Sequence, residues 1–377
     1  MDEAAEGAVS KQEMTDLSFQ LLVEFSFSAL RSLIDAAGSE RAIALNRPYW
    51  HHAGNAAGII LKQSMGLKAQ NQNAAGEMYA FVAHVMRAEA EYIGIEGTDW
   101  QEIHVHSCPF ETAPPEFCVL LDKIVADGMI ESFEMNHEVM IDQMRTQGAP
   151  YCILRIIPKG AEQERPAGEE VSLPPYPVPP LSREEADSWA VQYIAEHWVM
   201  LTRAMMDFER SEVVLMSQLM SMREKGMSLG LRLLRSSPQR AEGLREVTSF
   251  LEFSNRLFHQ EGMIIFEDLD KVEREITSCP FQNAPPAICA QYEAFLSGIC
   301  EAVEPELRVS YEKMMTKGDR TCRWVVQRKS RSDRTSMVEA GTTPPVDEAI
   351  RALAMRLAKG EISEEEFERK RRLLRGP

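Results

Sequence analysis

The chain has 377 residues, which at roughly 150 residues per domain is enough for two or three compact units with cores of their own. Its 58 acidic against 41 basic residues leave a net charge of −17 and a pI near 5.1, which argues against a nucleic-acid partner, because phosphate backbones demand a basic surface. The start, MDEAAEGAVSKQEM, is polar and acidic and no apolar stretch of about 18 residues stands out, so the expectation is a cytoplasmic protein with no membrane segment and with its seven cysteines reduced.

In chain order, the first pattern is helical. Leu21, Phe25, Leu30, Leu33 and Ile34 recur near the helical period and mark a core-facing stripe. A strand follows in TDWQEIHVHSC, where Ile103 and Val105 alternate with His104, His106 and Cys108. APPEFCVLLDKIVADG predicts a helix that starts at Pro114 and Pro115 and stops at Gly128. YCILRII predicts a closing strand. A Pro-rich stretch over 159–181 predicts a stiff, extended linker.

The order then repeats. SCPFETAPPEFC from Ser107 returns as SCPFQNAPPAIC from Ser278 at an offset of 171. Gly128 and Gly298, Gly148 and Gly318, and Cys152 and Cys322 match at an offset of 170, so one residue has slipped between the blocks. Upstream, Arg31, Asp35, Ser39, Gly54 and Gly58 match Arg203, Asp207, Ser211, Gly226 and Gly230 at an offset of 172. A second helical stripe, Trp189, Tyr193, Trp198, Leu201 and Met205, opens the second copy. The chain is therefore read as an internal duplication: an α+β repeat over 15–158, the linker, a second repeat over 182–328, a flexible linker over 329–346 and a helical hairpin over 347–377. Each lobe is expected to lay helices on a small antiparallel sheet.

Six of the seven cysteines fall into equivalent triads, Cys108, Cys118 and Cys152 in the first repeat and Cys279, Cys289 and Cys322 in the second. Cys118 and Cys289 lie one turn into their helices, where the partial positive charge of the N-terminus favours a thiolate. One reading is a thiolate site for a sulfur-containing ligand, a metal ion or an iron-sulfur cluster; the other is three small buried hydrophobes per lobe. His104 and His106 share strand parity with Cys108 and could complete a mixed nitrogen and sulfur metal site with the first triad, while an exposed strand face explains the same parity. Asp122, four residues after Cys118, shares its helical face, so a carboxylate beside a thiol could serve in acid–base work, with Cys118 as nucleophile. Glu293 stands at that place after Cys289.

The elements FCVLLDKIVADG and RTQGAPYCILRI resemble the 2-aminothiazoline-4-carboxylate hydrolase family, and MTKGDRTCRWVV resembles the Gly-Asp-x-x-Cys ending shared with the 4-vinyl reductase ligand-binding domains. The resemblance implies a ligand pocket in each lobe and falls on Cys118, Asp122, Gly148 and Cys152, and on Cys289, Gly318, Asp319 and Cys322. Relatives of the first kind open a sulfur-containing ring by adding water; those of the second are mostly binding or sensory modules. Glu293, and Ala149–Pro150 where the second repeat has Asp319–Arg320, depart from the pattern. The tail IRALAMRLAKGEISEEEFERKRRLL resembles the short C-terminal domain SHOCT, a hairpin with too little core to stand alone, which implies homo-oligomerisation. The functional expectation is a small-molecule- or metal-binding regulatory protein, with a hydrolase of a small cyclic C–N compound as the alternative.

Overall fold

The computed structural model describes residues 10–65, 74–96, 98, 100–160, 168–173, 181–236 and 243–328, together with Ser363 and Arg369. The C-terminal hairpin over 347–377 and the linker over 329–346 thus lie outside the described residues, apart from those two positions. The fold is α+β, and the packing divides the chain into two compact units, 1–209 and 210–377.

In the first unit α1 (Lys11–Ala37), α2 (Ser39–Met65) and α3 (Ala74–Val85) lead into β1 (Glu89–Ile95) and β2 (Gln101–Ser107). The next helix runs from α4 (Pro115–Cys118) through a π-helical turn, Val119–Val125, into α5 (Ala126–Ser132). Then come β3 (His137–Gln143), β4 (Cys152–Pro158), β5 (Glu170–Ser172) and α6 (Arg183–Met206). The strands form one antiparallel sheet in the order β3-β4-β2-β1-β5. The second unit holds α7 (Ser211–Ser236), α8 (Leu244–Leu257), β6 (Glu261–Glu267), β7 (Lys271–Ser278), α9 (Pro286–Val303), β8 (Leu307–Lys313) and β9 (Cys322–Arg328). Its sheet, β8-β9-β7-β6, has the same order, with no fifth strand among the described residues.

The duplication reaches down to the helix starts. Ser10 and Ser182, 172 apart, each accept from the backbone N–H three residues on, and Glu13 and Glu185 answer with the reciprocal bond, so both repeats open on the same capping box. α6, which opens the second repeat in sequence, packs within the first unit against α1, where Trp198 meets Phe25 at a ring distance of 5.2 Å. Both rings are fully buried, each worth roughly 2–3 kcal/mol of transfer free energy. Leu21, Leu30 and Leu33 join them in the core as their spacing predicts. Trp189 departs from its stripe: it is exposed on one side and leans on Phe81.

Three expectations change. α1 does carry a window long and apolar enough to cross a membrane by length and composition, from Gln12 to Ala37, and about two-thirds of it (67%) is buried inside the fold. The linker is more than a spacer, since its extended Glu170–Ser172 pairs with β1. Gly128 does not stop its helix either; the chain stays helical to Ser132, and the glycine serves a helix crossing. A Cβ at Gly128 would lie 2.2 Å from the carbonyl oxygen of His51 on α2, and one at Gly54 would lie 2.1 Å from that of Val125. The second unit repeats the crossing, with Gly298 at 2.0 Å from the Arg223 oxygen and Gly226 at 1.9 Å from that of Phe295. Backbone packed on backbone leaves no room for a methyl group, which explains why both copies hold these glycines.

That crossing also locates the one-residue slip. Val125 and Phe295 occupy the same seat beneath Gly54 and Gly226, yet Val125 comes seven residues after Cys118 and Phe295 six after Cys289. The extra residue of the first repeat is taken up by the π-helical turn, while α9 is α-helical throughout.

Candidate functional site

The cysteine positions follow from local structure. Each of β4 and β9 is entered through a 3₁₀ turn, Arg145–Gln147 and Met315–Lys317, that ends on a left-handed glycine, Gly148 at φ +91° and Gly318 at φ +97°. This reversal lets the Arg145 N–H donate to Cys152 Sγ at 3.3 Å and the Met315 N–H to Cys322 Sγ at 3.1 Å. The same turns place Thr146 Oγ1 at 3.6 Å from Cys118 Sγ and Thr316 Oγ1 at 3.1 Å from Cys289 Sγ. Cys108 and Cys279 directly follow β2 and β7, each taking a backbone hydrogen bond two residues on, from Phe110 and Phe281. Within each triad the sulfurs are near enough to oppose one another's ionisation. Cys300, the seventh cysteine, stands where the first repeat has Ile130, and both are fully buried.

The thiols are protonated, contrary to the thiolate expected at the helix N-termini. Burial pushes Cys108 up to about 11 and Cys279 to about 12, and raises Cys118 further still. Desolvation outweighs the helix partial charge and the hydroxyl of Thr146. Cys152, Cys289 and Cys322 shift upward for the same reason.

Asp122 sits in the π-helical turn, and its carboxyl is pushed up to about 7 by loss of water. Its charge acts on Cys108, Cys118 and Cys152 alike, and the Tyr79 hydroxyl donates to its backbone oxygen at 2.5 Å. Its carboxylate has no hydrogen-bond donor among the described residues. Glu293 of the second repeat is also raised by burial, but the backbone of Tyr311 and the charge of Lys317 oppose the shift. π-helical turns are enriched at functional sites, and a carboxyl poised near neutrality among thiols is the most strongly tuned acid of the first repeat.

A cavity of about 350 Å³ opens at Cys108. Phe19, Val85, Met86, Pro109 and Ala190 supply apolar lining, and Asp16, Arg87 and Asp187 supply charge. Arg87 is held in the left-handed region, at φ +56°, where only a few per cent of non-glycine residues sit. Its guanidinium bridges Asp16, at 2.8 Å, and the buried Asp187, which also accepts from Gln12 at 3.0 Å. Two carboxylates around one guanidinium leave the lining net negative. His259, at the equivalent place, keeps the left-handed backbone at φ +51°.

The two histidines of β2 face elsewhere. His104 lies 3.2 Å from Glu102 and His106 3.5 Å from Glu91, and both pack near the Tyr151 ring. Among the described residues no group of three or more His, Cys, Asp or Glu side chains is arranged to hold a metal ion. A second cavity, about 310 Å³, lies by Ile95, Trp100, His137 and Val171 and holds no cysteine.

Sequence reasoning missed Asp16, Arg87 and Asp187, which come from three helical or post-helical positions far apart in the chain. It also missed His197. That ring is buried between Trp50 and Tyr193, each at 4.3 Å; Nδ1 donates to the Tyr193 oxygen at 2.6 Å, and burial lowers the ring to about 4, so it is neutral. Buried aromatic company is its only signal in the sequence.

Comparison with known proteins adds one element. Residues 348–375 match the family model of the short C-terminal domain, SHOCT. The SHOCT match stands two residues after Val346, just past Pro344–Pro345. The likeness of the two repeats to the hydrolase and vinyl reductase families gains no family-model match. No curated protein matches this chain.

Proposed function

We propose that this chain is a small-molecule-binding regulatory protein whose first unit carries the ligand site and whose SHOCT tail brings copies together. The observation that carries the reading is the cavity at Cys108: its volume of about 350 Å³ falls at the low end of ligand pockets, roughly 300–1,000 Å³. Apolar walls with one charged cluster suit a small, largely apolar molecule bearing a cationic or hydrogen-donating group for Asp16 and Asp187. The protonated Cys108 thiol in its wall favours a soft, sulfur-tolerant surface over a nucleophile. Mass spectrometry of the solvent extract of purified protein, with a melting-temperature series in benzylamine and phenethylamine, tests it. A co-purifying molecule, or a saturable rise in Tm that Ala190→Trp abolishes, is expected. No molecule, no rise and an unchanged response in Ala190→Trp would sink it.

The second reading, a hydrolase of a 2-aminothiazoline-4-carboxylate type substrate, is favoured by Asp122 alone. A carboxyl near 7 can give and take a proton at neutral pH. This reading expects ring opening of that substrate to be lost in Asp122→Asn while the fold survives; no turnover by the unaltered chain would exclude it.

A further inference from the structure

We propose that the interior of the second unit is a binding site for a small neutral amide, built from polar side chains that the first repeat lacks. The ladders align the two sheets rung for rung. Ile141, Leu154 and Ile103 share one face in a row across β3, β4 and β2. The same rungs across β8, β9 and β7 hold Tyr311, Trp324 and Arg274. The helices change in step. The Ala88 N–H donates to the Ala83 oxygen as the Gln260 N–H does to that of Asn255, so Ala83 and Ala88 answer to Asn255 and Gln260. Three residues past the helix-borne cysteine, Leu121 gives way to Tyr292.

The exchange buries hydrogen-bonding groups that the protein leaves unmet. Arg274 is 3% exposed; its Nε pairs with Glu252 and its Nη2 reaches the Gly262 oxygen at 3.4 Å, while Nη1 has no partner among the described residues. Asn255 Nδ2 and Trp324 Nε1, on fully buried side chains, have none there either, nor has Gln260 Oε1. Tyr292 ties these groups together. Its hydroxyl donates to Asn255 Oδ1 at 3.3 Å, meets the Ser254 hydroxyl at 3.0 Å, and lies within electrostatic reach of Arg274 and Cys279. Gln260 Nε2 approaches the same Cys279 at 3.8 Å. Unmet polar atoms are few in a folded core, and four in one cluster mark a site that a ligand completes.

The unmet atoms define the ligand. Three donors and one acceptor match an amide, whose oxygen accepts from N–H groups and whose own N–H serves Gln260 Oε1. An anion is disfavoured, because Glu252 already balances the Arg274 charge and a further carboxylate would be buried without a countercharge. An ammonium group would face the three donors. The row also opens outward. It ends on Ile264 of β6, 39% exposed, where the first repeat ends on Tyr92, 8% exposed. This site thus differs in selectivity from the net-negative cavity at Cys108 and stands independently of it.

Nitrogen-15 NMR of the full-length protein tests this through the Trp324 indole N–H, with acetamide and benzamide as probes and acetate and ethylamine as charged controls. The amides should move that resonance to saturation and the controls should not. Asn255→Ala, and Glu252→Ala combined with Arg274→Ile, restore the residues of the first repeat, Ala83, Ala80 and Ile103. Each variant should weaken amide binding about tenfold or more while the β9 amide resonances keep their folded positions. A Trp324 resonance that neither amide moves would overturn the proposal. So would an equal response to acetate, or binding that both variants retain.

Discussion

The two repeats keep the same scaffold and differ where chemistry would sit. Both open on a capping box, cross their helices through paired glycines, enter the closing strand through a 3₁₀ turn with a left-handed glycine, and gather three protonated thiols. The first then departs at one helix. A single added residue is taken up by a π-helical turn and leaves Asp122 among thiols with no donor from the described residues, whereas the α-helix of the second gives Glu293 a backbone partner and a nearby lysine. The lesson is that duplication copies a scaffold and its pocket wall together, so the informative positions are those the copies do not share.

The comparison can be broken hardest at the shared crossing. Gly128→Val and Gly298→Val should each cost about 3 kcal/mol or more in chemical denaturation, because a side chain would meet backbone at about 2 Å in either copy. If one copy tolerates valine, the crossings are not equivalent. Next in size is Arg87→Ala, which leaves the buried Asp187 carboxylate with Gln12 and the more distant Arg183 and should cost about 2 kcal/mol, measured the same way.

Asp122 gives a prediction with a sign. Its folded value, about 7, lies above its ordinary one, so the folded state holds the proton more tightly than the unfolded chain. Stability from this group is full below about pH 4 and is lost as pH rises through 7. Asp122→Asn should therefore stabilise the protein by about 2 kcal/mol at pH 8 and flatten its stability between pH 4 and 7. Glu293→Gln should do the same more weakly. Removing one residue from 119–125 should straighten the helix and erase the Asp122 effect. The smallest and most symmetric effect is at the caps: Ser10→Ala and Ser182→Ala should each cost about 1 kcal/mol in thermal melts.

Much of this was legible in the sequence. The repeat, the α+β class, the cysteine triads and the closing strands follow from spacing, and the change of offset from 171 to 170 marks the π-helical turn to within a few residues. What spacing cannot carry is non-local. Asp16, Arg87 and Asp187 meet only because α6 packs with α1 in the first unit. The thiols stay protonated because burial, invisible in a motif, outweighs the helix end. Gly128 reads as a helix stop until the facing helix shows why no side chain fits there.

The central claim is that the first repeat holds, at Asp122, a carboxyl tuned to neutrality. Carbon-13 NMR of protein labelled at the aspartate carboxyl, titrated from pH 3 to 9 beside Asp122→Asn, tests it most directly. One resonance should titrate near pH 7 and vanish in the variant. Aspartates that all titrate below about pH 5, within the ordinary carboxylate range, would contradict it.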